Sequence, residues 1–308
     1  MVQRTKPVVF AIAVGVLALS GTALGPLAAG QDPVLNKLVD DQRLPAPPGD
    51  PRWRNPPTLM AAATAGNVPG VIFNWRWGMG MTRGIQEIES VGTLELRKST
   101  GSIRVGGQPC TLTNYRGSIN YQVPGMRAEY TCTLPNGQSR KNIEVFSGRF
   151  AWDEDIVGAG LQPGRGTATP KPEALTERII RVWAGPQGAV KAAWANGGKM
   201  TKVTVEGGKP VVTFPIPGVP GAMAKATLNA DSRAERVEVR NGNVVTEFTY
   251  ERYSDYNPED DKIDTLFPGH IVEKRDGVTI LELAVVQTHA ANMYIVMPVP
   301  KSIEQSAR

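Results

Sequence analysis

The sequence predicts a mainly β chain of the α+β kind: an antiparallel meander interrupted once by two short helices. Three observations carry this. From about residue 71, short apolar runs alternate with polar residues at the two-residue period of a half-buried strand. Two-residue turn signals at Gly207-Gly208, Asn241-Gly242 and Asp276-Gly277 separate later runs, and such turns match the right-handed twist of a hairpin. Between residues 173 and 195 the period lengthens to that of a helix. The 33 glycines and 25 prolines fall mostly between the apolar runs, as many turns joining short strands require.

Taken in order, the first thirty residues stand apart. Arg4 and Lys6 precede an uncharged apolar run from Val8 to Leu19, and small residues follow to Ala28-Ala29-Gly30. These are the three parts of a secretory signal peptide, with the cut expected before Gln31. An uncleaved anchor is the alternative, but the apolar core is shorter than the roughly 20 residues a spanning helix needs. Residues 31–70 are rich in Pro and Ala and read as an arm or linker, with a short helix near residues 34–41. The rest, residues 71–308, reads as a single β-rich domain. Its first strands are expected around Thr93-Leu-Glu-Leu-Arg97, residues 118–123, residues 127–134 ahead of the Pro135-Asn136-Gly137 turn, residues 142–146 and Arg149-Phe-Ala-Trp152. A Gly/Pro/Thr-rich connection covers residues 158–172. A helix over residues 173–183 then puts Leu175, Ile179, Val182 and Trp183 on one face, and a second runs from about Gln187 to Ala195, stopping at Asn196-Gly197-Gly198. These are the two helices expected in the β-rich domain. The return to strands gives the later sheet one apolar face through Val237, Val239, Val244, Phe248 and Tyr250.

Charge and cysteine narrow the classes. Without Arg4 and Lys6 the formal charge falls from +5 to +3, and no Lys/Arg block stands out, so nucleic acid is not an expected partner. After signal cleavage no segment is apolar and long enough to span a membrane. The two cysteines, Cys110 and Cys132, lie in strand-like sequence, and in an exported chain they are expected to form a disulfide, with two buried thiols as the alternative.

Chemistry is sparse. Asp255, Glu259, Asp260, Asp261 and Asp264 crowd ten residues, but a calcium loop counted from Asp255 has Asp260 where Gly is needed and Leu266 where Glu is needed. The stretch reads as a polar connection between strands; an irregular calcium site is the alternative. With Asp276-Gly277 as the turn, His270 falls opposite Leu283 and about 20 Å from His289 along the hairpin, too far to share a metal. The glycines near residue 158 match no phosphate-binding loop. No metal, cofactor or catalytic residue is assigned. Trp152, Trp183, Trp194 and Phe214 lie on or beside the helices and are the candidate lining of an apolar cavity, with plain core packing as the other reading.

Two segments, Val123-Pro-Gly-Met-Arg-Ala-Glu-Tyr130 and Val145-Phe-Ser-Gly-Arg-Phe-Ala-Trp152, together with Tyr253-Ser-Asp-Tyr256, Phe267-Pro268, residues 271–277, Leu281-Glu-Leu283 and Pro298-Val-Pro300, resemble the periplasmic lipoprotein-carrier half-barrel family across roughly residues 90–300. The resemblance implies a curved antiparallel half-barrel with the two helices packed on its concave face, and an apolar ligand cavity. The function expected from all this is an exported, periplasmic or secreted, binding or carrier protein holding a lipid-like or other apolar small molecule between sheet and helices. Two other classes stay open. One is a secreted hydrolase using His270 or the loop around Asp260. The other is a cell-envelope structural or assembly factor with an envelope protein as partner.

Overall fold

A computed structural model describes residues 57–80, 92–256, 265–290 and 294–306. All of the described residues belong to one compact unit, Gln31–Arg308. The expected signal peptide, the helix near residues 34–41, most of the arm, and the acids Glu259, Asp260, Asp261 and Asp264 lie outside the described residues. Among the described residues no helix is long and apolar enough to cross a membrane.

Thirteen antiparallel strands form one sheet that does not close. They are β1 (Thr93–Val105), β2 (Gln108–Asn120), β3 (Gly125–Thr133), β4 (Ser139–Ser147), β5 (Phe150–Glu154), β6 (Ala168–Pro170), β7 (Lys202–Glu206), β8 (Lys209–Pro215), β9 (Met223–Leu228), β10 (Ala234–Asn241), β11 (Val244–Asp255), β12 (Leu266–Arg275) and β13 (Val278–Ala290). Their spatial order is β6-β5-β4-β3-β2-β1-β13-β12-β11-β10-β9-β8-β7. The chain therefore starts at the middle of the sheet, meanders out to one edge, crosses to the other edge, and meanders back until β13 pairs with β1. The crossing is made by α3 (Leu175–Trp183) and α4 (Pro186–Trp194), so the topology itself lays these helices over a sheet face.

That face is concave. Arg181 of α3 bonds Glu144 of β4 at 3.3 Å and Glu273 of β12 at 2.8 Å. Those strands are five positions apart in the sheet, which is about 24 Å if it were flat. One guanidinium can bridge them only if the sheet curls around the helix.

The core follows strand alternation. Met126, Tyr130 and Phe146 point inward and join one large cluster with the helices. Ile143 and Val145, on the opposite face of β4, join Phe150 and Trp152 in a second cluster, covered by Ile295, Met297 and Ile303 of the C-terminal segment and α5 (Lys301–Ser306). Cys110 of β2 and Cys132 of β3 form the expected disulfide, with their Cα atoms 5.5 Å apart.

The structure corrects the sequence reading in several places. The strand-like Val71-Ile-Phe is helical: α1 (Leu59–Thr64) and α2 (Val68–Gly78) precede the first strand. Thr58 and Asn67 cap them by accepting from Ala61 N and Gly70 N. In α2, Val71, Ile72 and Trp75 are buried together, so tertiary packing overrides the strand preference of β-branched residues. Both helices pack on the same core as α4, so among the described residues α1 and α2 join α3 and α4 in it. The turn placed at Asn241-Gly242 lies one residue later, because Asn241 still pairs with Val244. Val244 is on the apolar face but ends its strand and is exposed. His270 pairs with Ala284 rather than Leu283, because the ladder shifts by one residue between Glu273 and Lys274.

Helix α4 is buried along its whole length. It turns off α3 through Gly185, and a Cβ on Gly188 would stand 1.9 Å from Val182 O. Glycine thus lets the second helix lie directly against the end of the first, holding both inside the curl.

Candidate functional site

An apolar crevice opens between the concave face and the α3–α4 corner. Its walls come from both halves of the sheet: Leu94 and Leu96 of β1, Tyr115 of β2, Phe248 and Tyr250 of β11, and Ile271 of β12. These positions share one face by alternation, and the curl brings the two halves around a common space. Gly117 of β2 forms part of the wall, where a Cβ would come within 3.1 Å of Leu96 Cδ1. The free volume is about 60 Å³, against the roughly 300–1,000 Å³ of drug-sized ligand pockets. As it stands the gap is smaller than a drug-sized guest. A broader groove of about 620 Å³ lies between α1, α2 and the β7–β8 and β9–β10 ends, but its lining mixes Thr58, Asn74, Lys209 and Asn229 with apolar groups.

One end of the crevice is ionic. Arg181 makes a two-pronged contact with Glu273, through Nε at 2.8 Å and Nη2 at 3.3 Å, and also bonds Glu144 and Glu177. Glu177 is held in turn by Arg275 at 2.6 Å. Burial opposes the Arg181 charge, but Glu273, Glu144 and Glu177 outweigh it and hold the guanidinium well above its usual pKa. Burial would raise Glu177, yet the bond from Arg275 and the charges of Arg181 and Arg275 pull it below the usual carboxylate range. Three carboxylates thus face two guanidinium groups. Tyr250 donates its hydroxyl to Ala184 O, tying β11 to the end of α3. Burial pushes the Tyr115 and Tyr250 phenols upward, so both remain protonated at neutral pH.

Two buried cations, neither of them among the described lining residues, lie on α4 and α2. Lys191 of α4 places Nζ 5.5 Å from the ring centroid of Tyr121, which itself lines the crevice. Arg76, in the last turn of α2, is buried where α2 meets α4. Burial first, and then the Arg76 charge, lower Lys191 to about 7. Burial alone lowers Arg76 to about 10.

The four aromatic candidates are not brought together. Trp152 belongs to the outer cluster on the far face of the sheet, where its Nε1 donates to Glu154 at 3.0 Å. Trp183 packs 6.0 Å from Tyr121, one ring behind the crevice wall. Phe214 packs 6.4 Å from Trp75, and Trp194 lies beside Gly198. None of the four is among the described lining residues. The aromatics that do line it are on strands, and the inward alternation of Tyr115, Gly117, Ile119 and Tyr121, or of Phe248 and Tyr250, is the sequence signal that marks them. His270 sits on the outer face between Glu251 at 3.3 Å and Glu282 at 3.0 Å. His289 Nδ1 lies 3.4 Å from Glu95, without hydrogen-bond alignment. Among the described residues no three His, Cys, Asp or Glu are placed to hold a metal ion. The described crevice lining includes no Ser, Thr, Cys or His.

The fold and crevice define an open, curled antiparallel sheet with helices held on its inner face. No protein-family model matches the chain, and no curated protein does. Among solved structures, it is similar to a domain from Vibrio parahaemolyticus named for outer membrane lipoprotein sorting, at 11% identity and a TM-score of 0.40, covering 78% of this chain and 99% of that one.

Proposed function

We propose that this protein is an exported binding or carrier protein, periplasmic or secreted, that holds a lipid-like or other apolar ligand between its sheet and helices α3 and α4. The observation that carries the reading is the crevice itself: apolar and aromatic side chains from both halves of the sheet converge on a gap that core packing leaves open. The disulfide and the charged-apolar-small pattern of the first thirty residues accord with export to an oxidising compartment.

Native mass spectrometry of protein purified from its host, combined with organic extraction, tests this directly. A bound apolar molecule is expected. Protein that carries none, and that also fails to take up an added apolar fluorophore, would remove the proposal.

A further inference from the structure

We propose that β7 is a pairing edge for a second copy of this chain, in a two-fold antiparallel register centred on Thr204. The proposal does not depend on what the crevice holds. β7 ends the sheet, and Lys202, Thr204, Val205 and Glu206 are exposed on it. The β7–β8 hairpin fixes which backbone groups face outward. Gly207-Gly208 makes a two-residue turn with both residues at positive φ, so the flanking Glu206 and Lys209 form a hydrogen-bonded pair. Parity then makes Thr204–Val211 and Lys202–Thr213 hydrogen-bonded pairs, and Val203–Val212 and Val205–Pro210 non-hydrogen-bonded ones. Pro210 has no N–H, which fits that assignment. The N–H and C=O groups of Val203 and Val205 therefore point away from β8, toward the open edge.

The strand that fits this edge is the strand itself. Lys202-Val-Thr-Val-Glu206 has the same apolar pattern in both directions and opposite charges at its ends. Paired about Thr204, Val203 lies opposite Val205 of the second copy, and the two exchange both backbone hydrogen bonds. Lys202 lies opposite Glu206 of the second copy, twice by symmetry. Those are non-hydrogen-bonded positions, where facing side chains come closest, and opposite charges there favour the register. A slip of one residue sets outward groups against inward ones, and a slip of two loses both charge pairs. Glu206 already accepts from Lys225 at 2.6 Å, but the two side chains are 50% and 44% exposed, and a carboxylate can accept from a second cation. The far edge of the sheet differs: β6 has three residues, ends at Pro170 and packs against α5. A lysine on an edge strand ordinarily discourages pairing. Here the glutamate four positions on makes the edge complementary to its own copy, as a two-fold interface requires. Val205 and Met200, both exposed, add apolar surface beside it. A five-residue edge is short, so the expected dimer is weak and concentration-dependent.

Sedimentation velocity of the protein purified from its host, over a concentration series, tests this. A reversible monomer–dimer equilibrium is expected. Val205→Pro removes an outward N–H without touching the β8 ladder and should weaken the dimer tenfold or more. Lys202→Glu and Glu206→Lys each set like charges opposite one another, and each alone should weaken it tenfold or more. Mixed in equal amounts, these two variants should form a heterodimer within threefold of wild-type affinity, because every facing pair is again opposite in sign. Thermal unfolding checks that each variant is folded; if Val205→Pro is not, the two charge variants and their mixture decide. Three results overturn the proposal: wild type that stays monomeric up to about 1 mM, a dimer that all three substitutions leave unchanged, or a mixture of the charge variants that stays monomeric.

Discussion

Replacing Arg181 with methionine leaves Glu273, whose side chain is 1% exposed, without its two-pronged partner. Methionine fills similar volume, so the change isolates the charge. Removing one partner of a buried ion pair destabilises by about 3–5 kcal/mol, because the other charge stays desolvated. Two features of this site place the expected loss at the lower end. Arg275 remains 3.7 Å from Glu273, and Glu144 is partly solvated. A loss of about 3 kcal/mol in a domain of this size lowers the melting temperature by about 6–12 °C. Circular dichroism at neutral pH on wild type, Arg181→Met and Arg181→Met with Glu273→Gln measures it. The double variant should recover at least half of the loss, since it no longer buries an unpaired carboxylate. If the single variant melts within 2 °C of wild type, or the double variant melts lower than the single, Arg181 does not join the two halves of the sheet as described.

Three further outcomes follow from the same geometry. Gly117→Val should fill the crevice beside Leu96 and weaken uptake of an apolar fluorophore by tenfold or more, with the melting temperature changed by only a few degrees; unchanged uptake would place the ligand elsewhere. Reducing the Cys110–Cys132 bond, or replacing both cysteines with serine, should lower stability by about 3 kcal/mol in chemical denaturation, as expected for a closure spanning 22 positions. Lys191 is lowered to about 7 when folded, against roughly 10.4 in an unfolded chain. Between these values the unfolded state binds the extra proton, so raising the pH from 7 to 9 should stabilise wild type relative to Lys191→Met, with a slope of at most about 1.4 kcal/mol per pH unit. A flat difference across that window would show that Lys191 is not buried as a cation.

Much of the fold was legible because it is local. The alternation in β1, β3 through β5 and β9 through β13 is written in consecutive residues, whereas the strand expected over residues 118–123 ends at Asn120 and residues 121–123 turn into β3; the Gly207-Gly208 and Asp276-Gly277 turns stand where the sequence places them, both residues of each having positive φ. The change of period at residue 173 marks α3, and Asn196-Gly197, both also at positive φ, mark the end of α4. The α2 segment misled because Val71-Ile72-Phe73 satisfies a strand and a helix equally. Only its burial against Phe214 and the Asn67 cap decide for the helix.

The site was less legible. Tryptophan is the largest apolar side chain, which makes Trp152, Trp183 and Trp194, with Phe214, natural candidates for a cavity wall. Size does not say which face of the sheet a residue takes, nor whether it forms the wall or the packing behind it. Trp152 lies in register with Val145, which commits it to the outer face. Arg181, Glu144 and Glu273 carry no motif at all, and 129 residues separate Glu144 from Glu273 in sequence.

The sequence by itself determined the β class and the helix pair, each settled by neighbours along the chain, and it carried the expectation of a disulfide that the structure then showed. Only the tertiary structure decided that the meander folds as two halves meeting at β1 and β13, that the helices must cross from edge to edge, and that the sheet curls far enough for one guanidinium to hold β4 and β12. Curvature sums small twists and register shifts over thirteen strands, and no local window of residues contains that sum.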